Sequence, residues 1–73
     1  DLKIRVNAIS PGAINAPMLT NHLDEESLIK LKEKHLLSKI GEVDNISSAC
    51  WFINENTFIN GSNMIIDGGR TII

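Results

Sequence analysis

The side chains in this sequence that could do chemistry unaided are two histidines, a run of three acids and one thiol. His22 and His35 lie thirteen positions apart, a separation that fits no common zinc-ligand spacing. They read as a solvated loop residue and a helix-face residue. Asp24, Glu25 and Glu26 stand together at the start of a helical pattern, where carboxylates act as cap and dipole partners. Cys50, between Ala49 and the pair Trp51–Phe52, reads as a buried, inert thiol. There is no tyrosine. These side chains define no catalytic residue and no metal site.

The stretch "SPGAINAPM" (10–18) offers main-chain chemistry instead. Pro11 fixes φ and cannot donate, which exposes the last carbonyls of the preceding segment. Gly12 has no side chain, so a flat ring could approach the backbone. Ile14 presents one N–H donor and one C=O acceptor beside an apolar side chain. The same residues also describe an ordinary strand-to-loop turn.

The elements that would position this loop follow from periodicity. Leu2, Ile4, Val6 and Ala8 alternate with Lys3, Arg5 and Asn7, which predicts a strand over 3–9 that Pro11-Gly12 ends. A helical turn is expected near 17–21. Asp24 is an N-cap candidate, and Leu28, Leu31, His35 and Leu36 share a face, which predicts a helix over 25–37. After Gly41, the residues Ile46, Ala49, Cys50 and Ile53 recur at helical spacing, which predicts a helix over 43–55. Trp51 and Phe52 widen its stripe, so it should meet two surfaces, and Trp51 reads as core or interface. "NGS" (60–62) is a turn signal, and "NMIID" (63–67) a strand whose apolar run suits cover on both faces. The tail "RTII" is apolar and would need cover.

At 73 residues the chain is at most one small domain. With 42% hydrophobic and 22% charged residues it falls among soluble globular chains and not disordered ones. A net charge of −2 argues against a nucleic-acid partner. No apolar run suits a membrane span, and no signal-peptide pattern is present. The single cysteine cannot form an internal disulfide and suits a reducing, cytoplasmic setting. There are no repeats and no low-complexity segments. The order strand, loop, helix, helix, strand is that of an α/β fold, and it requires parallel neighbouring strands. Such a unit leaves sheet edges and one sheet face bare. More chain or a partner is therefore expected, and the initial Asp1, where a Met would stand, suits processing or a longer parent.

"IRVNAISPGAINAPM", then "KIGEVDNISSACWFI", then "FINGSNMIIDGG", in this order, resemble the C-terminal third of a short-chain dehydrogenase/reductase. The resemblance covers Ile4 to Gly69. It implies the C-terminal portion of a doubly wound, Rossmann-like parallel sheet, with 3–9 and 63–67 as its last two strands. It further implies a substrate lid over 17–40 and a crossover helix over 43–55. The open-sheet rule puts ligands outside the carboxyl ends of strands. The resemblance thus makes Pro11, Gly12, Ile14 and Ala16 cofactor-binding, with Ile14 holding the nicotinamide carboxamide of NAD or NADP through its backbone. The family often has a cofactor-bonding Thr where Ala16 stands, a contact Asn15 could replace. Val43 and Asn60 stand where Pro and Thr are common. Asp67 would anchor the turn after the last strand.

The family's Gly-rich loop, Tyr-x-x-x-Lys pair and active-site Ser are not among these residues. The resemblance therefore implies part of an oxidoreductase that interconverts an alcohol and a ketone by hydride transfer. Its partners would be the rest of the dehydrogenase chain, the small-molecule substrate and further copies in a homo-oligomer. On its own this segment is expected to be inactive. A non-catalytic, truncated assembly module is the alternative, with Trp51, Phe52, Phe58, Met64 and the "TII" tail as its contact surface.

Overall fold

A computed structural model describes residues 3–72. Its organising feature is a parallel pair, β1 (Ala8–Pro11) beside β4 (Asn63–Ile66), with Ala8 opposite Asn63 and Pro11 opposite Ile66. A second, two-residue parallel pair joins β2 (Ile14–Asn15) to β3 (Gly41–Glu42). Three helices lie between the two main strands: α1 (Pro17–Thr20), α2 (Glu25–Glu33) and α3 (Val43–Glu55). A 3₁₀ turn, Arg70–Ile72, follows β4. Each parallel pair is thus closed by a helical connection, as parallel pairing requires.

The first strand differs from the expected 3–9. It begins at Ala8, and Pro11 lies inside it. Ala8 and Gly12 both donate to β4, at 2.9 Å from Ser62 O and 2.9 Å from Ile66 O. Parallel pairing alternates along the strand, so the missing Pro11 N–H falls on the side away from β4 and costs the ladder nothing. Upstream of Ala8 the ladder gives way to one backbone bond, from the Gly61 N–H to Val6 O at 2.9 Å, and to side chains. The Val6 N–H donates to Asn60 Oδ1 at 3.0 Å. Asn7 gives its amide to Ile59 O at 3.1 Å and accepts from the Ser62 N–H at 3.0 Å. Leu2, part of the expected alternation, and Ile73, part of the tail, lie outside the described residues.

The second helix is also shorter than the expected 25–37. Asp24 caps α2 by accepting the Ser27 N–H at 2.7 Å. That bond, with the Ser27 hydroxyl, holds the Asp24 carboxyl below its usual range. The helix ends at Glu33 because the next amides bond three residues back, Lys34 to Leu31 O and His35 to Lys32 O. Ser38, at φ 57, then turns the chain. The helix expected over 43–55 is α3, opened by reciprocal bonds between Glu42 and Asn45. Its stripe is narrower than read from spacing. Ala49 is buried and Ile46 and Ile53 are half-buried, whereas Cys50 is exposed and not buried. Trp51 and Phe52 are exposed at 65% and 52%, so neither is core among the described residues. The last strand stops at Ile66, which leaves Asp67 in the following turn.

Candidate functional site

The carboxyl ends of β1 and β4 meet through one acidic turn. Asp67 accepts the Gly69 N–H at Oδ1 (3.0 Å) and the Thr71 N–H at Oδ2 (3.1 Å). The Thr71 hydroxyl, with these backbone donors, lowers the Asp67 carboxyl from its ordinary value. Gly68 and Gly69 follow at φ 61 and 88, a conformation open to glycine at little cost. The Gly68 carbonyl accepts the Leu37 N–H at 3.0 Å, which ties the segment after α2 to the same turn.

Gly12 has a reason to be glycine that the sequence did not suggest. A Cβ there would sit 2.9 Å from both Cα and Cβ of Asp67. The space expected to admit a flat ring is filled by the Asp67 turn. Pro11, Gly12 and Asp67 line a cavity of about 500 Å³ together with Leu19 of α1 and Leu31 of α2. This concavity lies where the open-sheet rule puts a ligand.

Ile14 is arranged differently. The Gly41 N–H donates to Ala13 O at 2.9 Å, so Ala13 and Asn15 face β3. By alternation the Ile14 N–H and C=O point away from it. No other group among the described residues takes them up. The Ile14 side chain does not wall the 500 Å³ cavity. Its Cδ1 lies 2.9 Å from the position a Gly41 Cβ would take, and it lines a separate cavity of about 240 Å³ with Ile66 and Asn45. Ala16 lines neither cavity. It is the N-cap of α1 without a side-chain cap bond, and its carbonyl accepts from the Leu19 and Thr20 amides and the Thr20 hydroxyl. Asn15 is not free to replace a Thr at 16, because its amide donates to the Glu42 carboxylate at 3.2 Å. Of the four expected site residues, then, two share the larger cavity, one offers its main chain beside it, and Ala16 stands apart.

The histidines separate. His22 is exposed. His35 is not a helix-face residue: it follows α2 and is 2% exposed. Its Nδ1 lies 2.9 Å from Leu31 O, a group that can only accept, so Nδ1 carries the proton. Its Nε2 is buried without a partner among the described residues. Exclusion of residue 35 from the helix is what buries it, and helical spacing alone could not signal that. No group of three His, Cys, Asp or Glu suited to a metal occurs among the described residues. No helix of the described residues is long and apolar enough to cross a membrane.

Sequence reasoning also passed over Arg5 and Arg70. Arg5 gathers carbonyls at the end of α3. Arg70 lines the 500 Å³ cavity. Arg5 sat among polar alternates of an expected strand, and Arg70 in a tail read only for its apolar residues.

Comparison with known proteins agrees with this architecture. The family model described as enoyl-(acyl carrier protein) reductase matches residues 1–71. Glucose 1-dehydrogenase of Gluconobacter oxydans is 35% identical over 72 residues, covering 94% of this chain and 27% of its own length. The NADP-dependent (R)-specific alcohol dehydrogenase of Lentilactobacillus kefiri is 30% identical over 73 residues, covering 97% of this chain and 29% of its own. The solved structure of 4-hydroxyisoleucine dehydrogenase complexed with NADH superposes with a TM-score of 0.85 at 33% identity, covering 96% of this chain and 30% of that one. The chain belongs to the short-chain dehydrogenase/reductase family, within the group of that reductase family model. It spans under a third of the length of these relatives.

Proposed function

We propose that these residues are the C-terminal portion of an NAD(P)-dependent oxidoreductase that interconverts an alcohol and a ketone. The observation that carries this reading is the concavity at the carboxyl ends of β1 and β4, lined by Pro11 and Gly12 together with Leu19 of α1 and Leu31 of α2. When bound, NAD or NADP supplies the hydride acceptor or donor. The main chain at Ile14 suits its carboxamide, since one unpartnered donor and one unpartnered acceptor stand together there. Pro11 and Gly12 form the nearby wall, and Gly12 does so by letting Asp67 close behind it. Ala16 is the weakest of the four contacts, having no hydroxyl to offer.

The lid, 17–40, closes over the substrate and excludes water. Its far end is held at Gly68 by the Leu37 N–H. The proton donor, a tyrosine with its lysine, comes from the remainder of the dehydrogenase chain, so these 73 residues alone are inactive. The exposed Trp51, Phe52 and Phe58 supply surface for that remainder or for a second copy in a homo-oligomer. The setting is cytoplasmic, which a lone unpaired cysteine suits.

The test is oxidation of NADH and NADPH by the full-length protein with a panel of ketones, followed at the nicotinamide absorbance. Turnover with at least one ketone, lost on replacing the upstream tyrosine, is the expected result. A full-length protein that binds neither cofactor overturns the reading and leaves an assembly module.

A further inference from the structure

The 500 Å³ cavity has a charged corner that hydride transfer does not require. Arg70 lines it together with Thr71, Leu19 and Leu31. Arg70 is exposed, and its guanidinium forms no hydrogen bond to the described residues, although its own N–H is fixed to Asp67 O at 3.1 Å. Among those residues the one ion pair is Lys30 with Glu26, on the surface of α2.

The neighbouring carboxylate does not neutralise Arg70. Both Asp67 oxygens are directed at the Gly69 and Thr71 amides, and Asp67 and Arg70 do not form an ion pair. What remains is a planar, permanently charged donor fork on a residue that lines the same cavity as Leu19 and Leu31. Such a fork matches a carboxylate in two-point contact.

We propose that Arg70 selects a substrate bearing a carboxylate, so that the ketone reduced is a keto acid with a short apolar chain. The carboxylate pairs with the guanidinium, the chain lies on Leu19 and Leu31, and the carbonyl is carried toward the Pro11–Gly12 wall. The inference rests on the oxidoreductase reading for its reaction, but not for its anion site. The anion is assigned to the substrate, and an Arg70→Gln protein whose KM for NAD(P)H rose in place of the change toward the acid would overturn that assignment.

The experiment compares a short-chain keto acid with its uncharged amide in the full-length protein, as wild type, Arg70→Gln and Arg70→Lys. The wild type should prefer the acid. Arg70→Gln should lower kcat/KM for the acid roughly ten- to hundredfold, the loss of a charge-assisted hydrogen-bonded pair. It should leave the amide and the KM for NAD(P)H unchanged. Arg70→Lys should recover part of the loss, keeping charge without the fork. Equal treatment of acid and amide by the wild type, or an equal fall for both in Arg70→Gln, overturns the proposal. Calorimetric titration of the keto acid separates the two readings. Binding that Arg70→Gln abolishes, without turnover of any carbonyl, keeps the anion site and rejects the oxidoreductase. Turnover without preference for the acid does the reverse.

Discussion

Removal of the Arg5 guanidinium should loosen the end of α3. The helix ends without a glycine cap and with no basic residue in its last turn. Its final carbonyls need another donor. Arg5 Nη1 lies 3.0 Å from Ile53 O, 3.2 Å from Asn56 O and 3.1 Å from Ile59 O, and Nη2 lies 3.3 Å from Asn54 O. Nη1 carries two hydrogens for three acceptors, so these contacts amount to about three full bonds at most. A hydrogen bond to a charged group contributes about 1.5–3 kcal/mol, but two of the four carbonyls are exposed and water can replace the guanidinium there. The two part-buried contacts, to Ile53 and Ile59, therefore decide the loss. Part burial halves each of these to about 0.8–1.5 kcal/mol, and with about 0.3–1 kcal/mol for a cation at a helix C-terminus Arg5→Ala should cost about 2–4 kcal/mol. Urea unfolding of the full-length protein reads this directly. Arg5→Lys should recover part of it, since one ammonium reaches fewer carbonyls. Amide exchange should quicken first at 53–59, ahead of the rest of α3. An Arg5→Ala protein within about 0.5 kcal/mol of wild type would refute the reasoning, because changes that small are typical of surface positions.

Gly12→Ala should destabilise by about 1–3 kcal/mol, since the new methyl meets the Asp67 backbone at 2.9 Å and neither strand end can give easily. Thermal unfolding checks it, and a weaker hold on NAD(P)H should accompany the shift. Ala16→Thr should raise cofactor affinity several-fold, about 1 kcal/mol for one hydrogen bond, and the same hydroxyl could cap α1. Fluorescence titration with NADPH measures the first effect and the melting temperature the second. Stability should fall in acid as Asp24 and Asp67 protonate. Both folded carboxyls lie below the ordinary value of 3.8, so their contribution is present above that value and lost as pH falls through the folded pKa. Unfolding midpoints taken down an acid series check the sign, and Asp67→Asn should flatten the dependence.

What the sequence made legible was whatever local rules decide. The Asp24 cap, the α3 span and the turn at Gly61 each follow from side chains within a few positions of one another. The strand over 3–9 misled because alternation reports which residues share a face, not what occupies the opposite edge. At Val6 and Asn7 that edge is a loop held by Asn60 and Asn7 side chains, so the segment is extended without a ladder. His35 misled for a related reason. Its spacing from Leu28 and Leu31 is helical, but the helix ends at Glu33, and His35 packs against Gly68 of the distant turn after β4. Cys50 carried a compositional expectation of burial, and composition is silent on which side of α3 meets β1.

The site itself shows why a motif and its physical cause can part company. "SPG" reads as room for a ligand's approach, yet a Cβ at Gly12 would meet Asp67, which gives the glycine a packing reason of its own. Asp67 then has three connections: it accepts the amides of the following turn, it crowds Gly12 at the end of β1, and it precedes the Gly68 carbonyl that holds Leu37. A single short turn after β4 thereby fixes part of the cavity lining, the segment after α2 and the base of Arg70. The two strand ends and that segment cannot shift independently of the turn. A change at Asp67 should therefore alter substrate and cofactor binding together, whereas a change at Arg70 should touch the substrate alone.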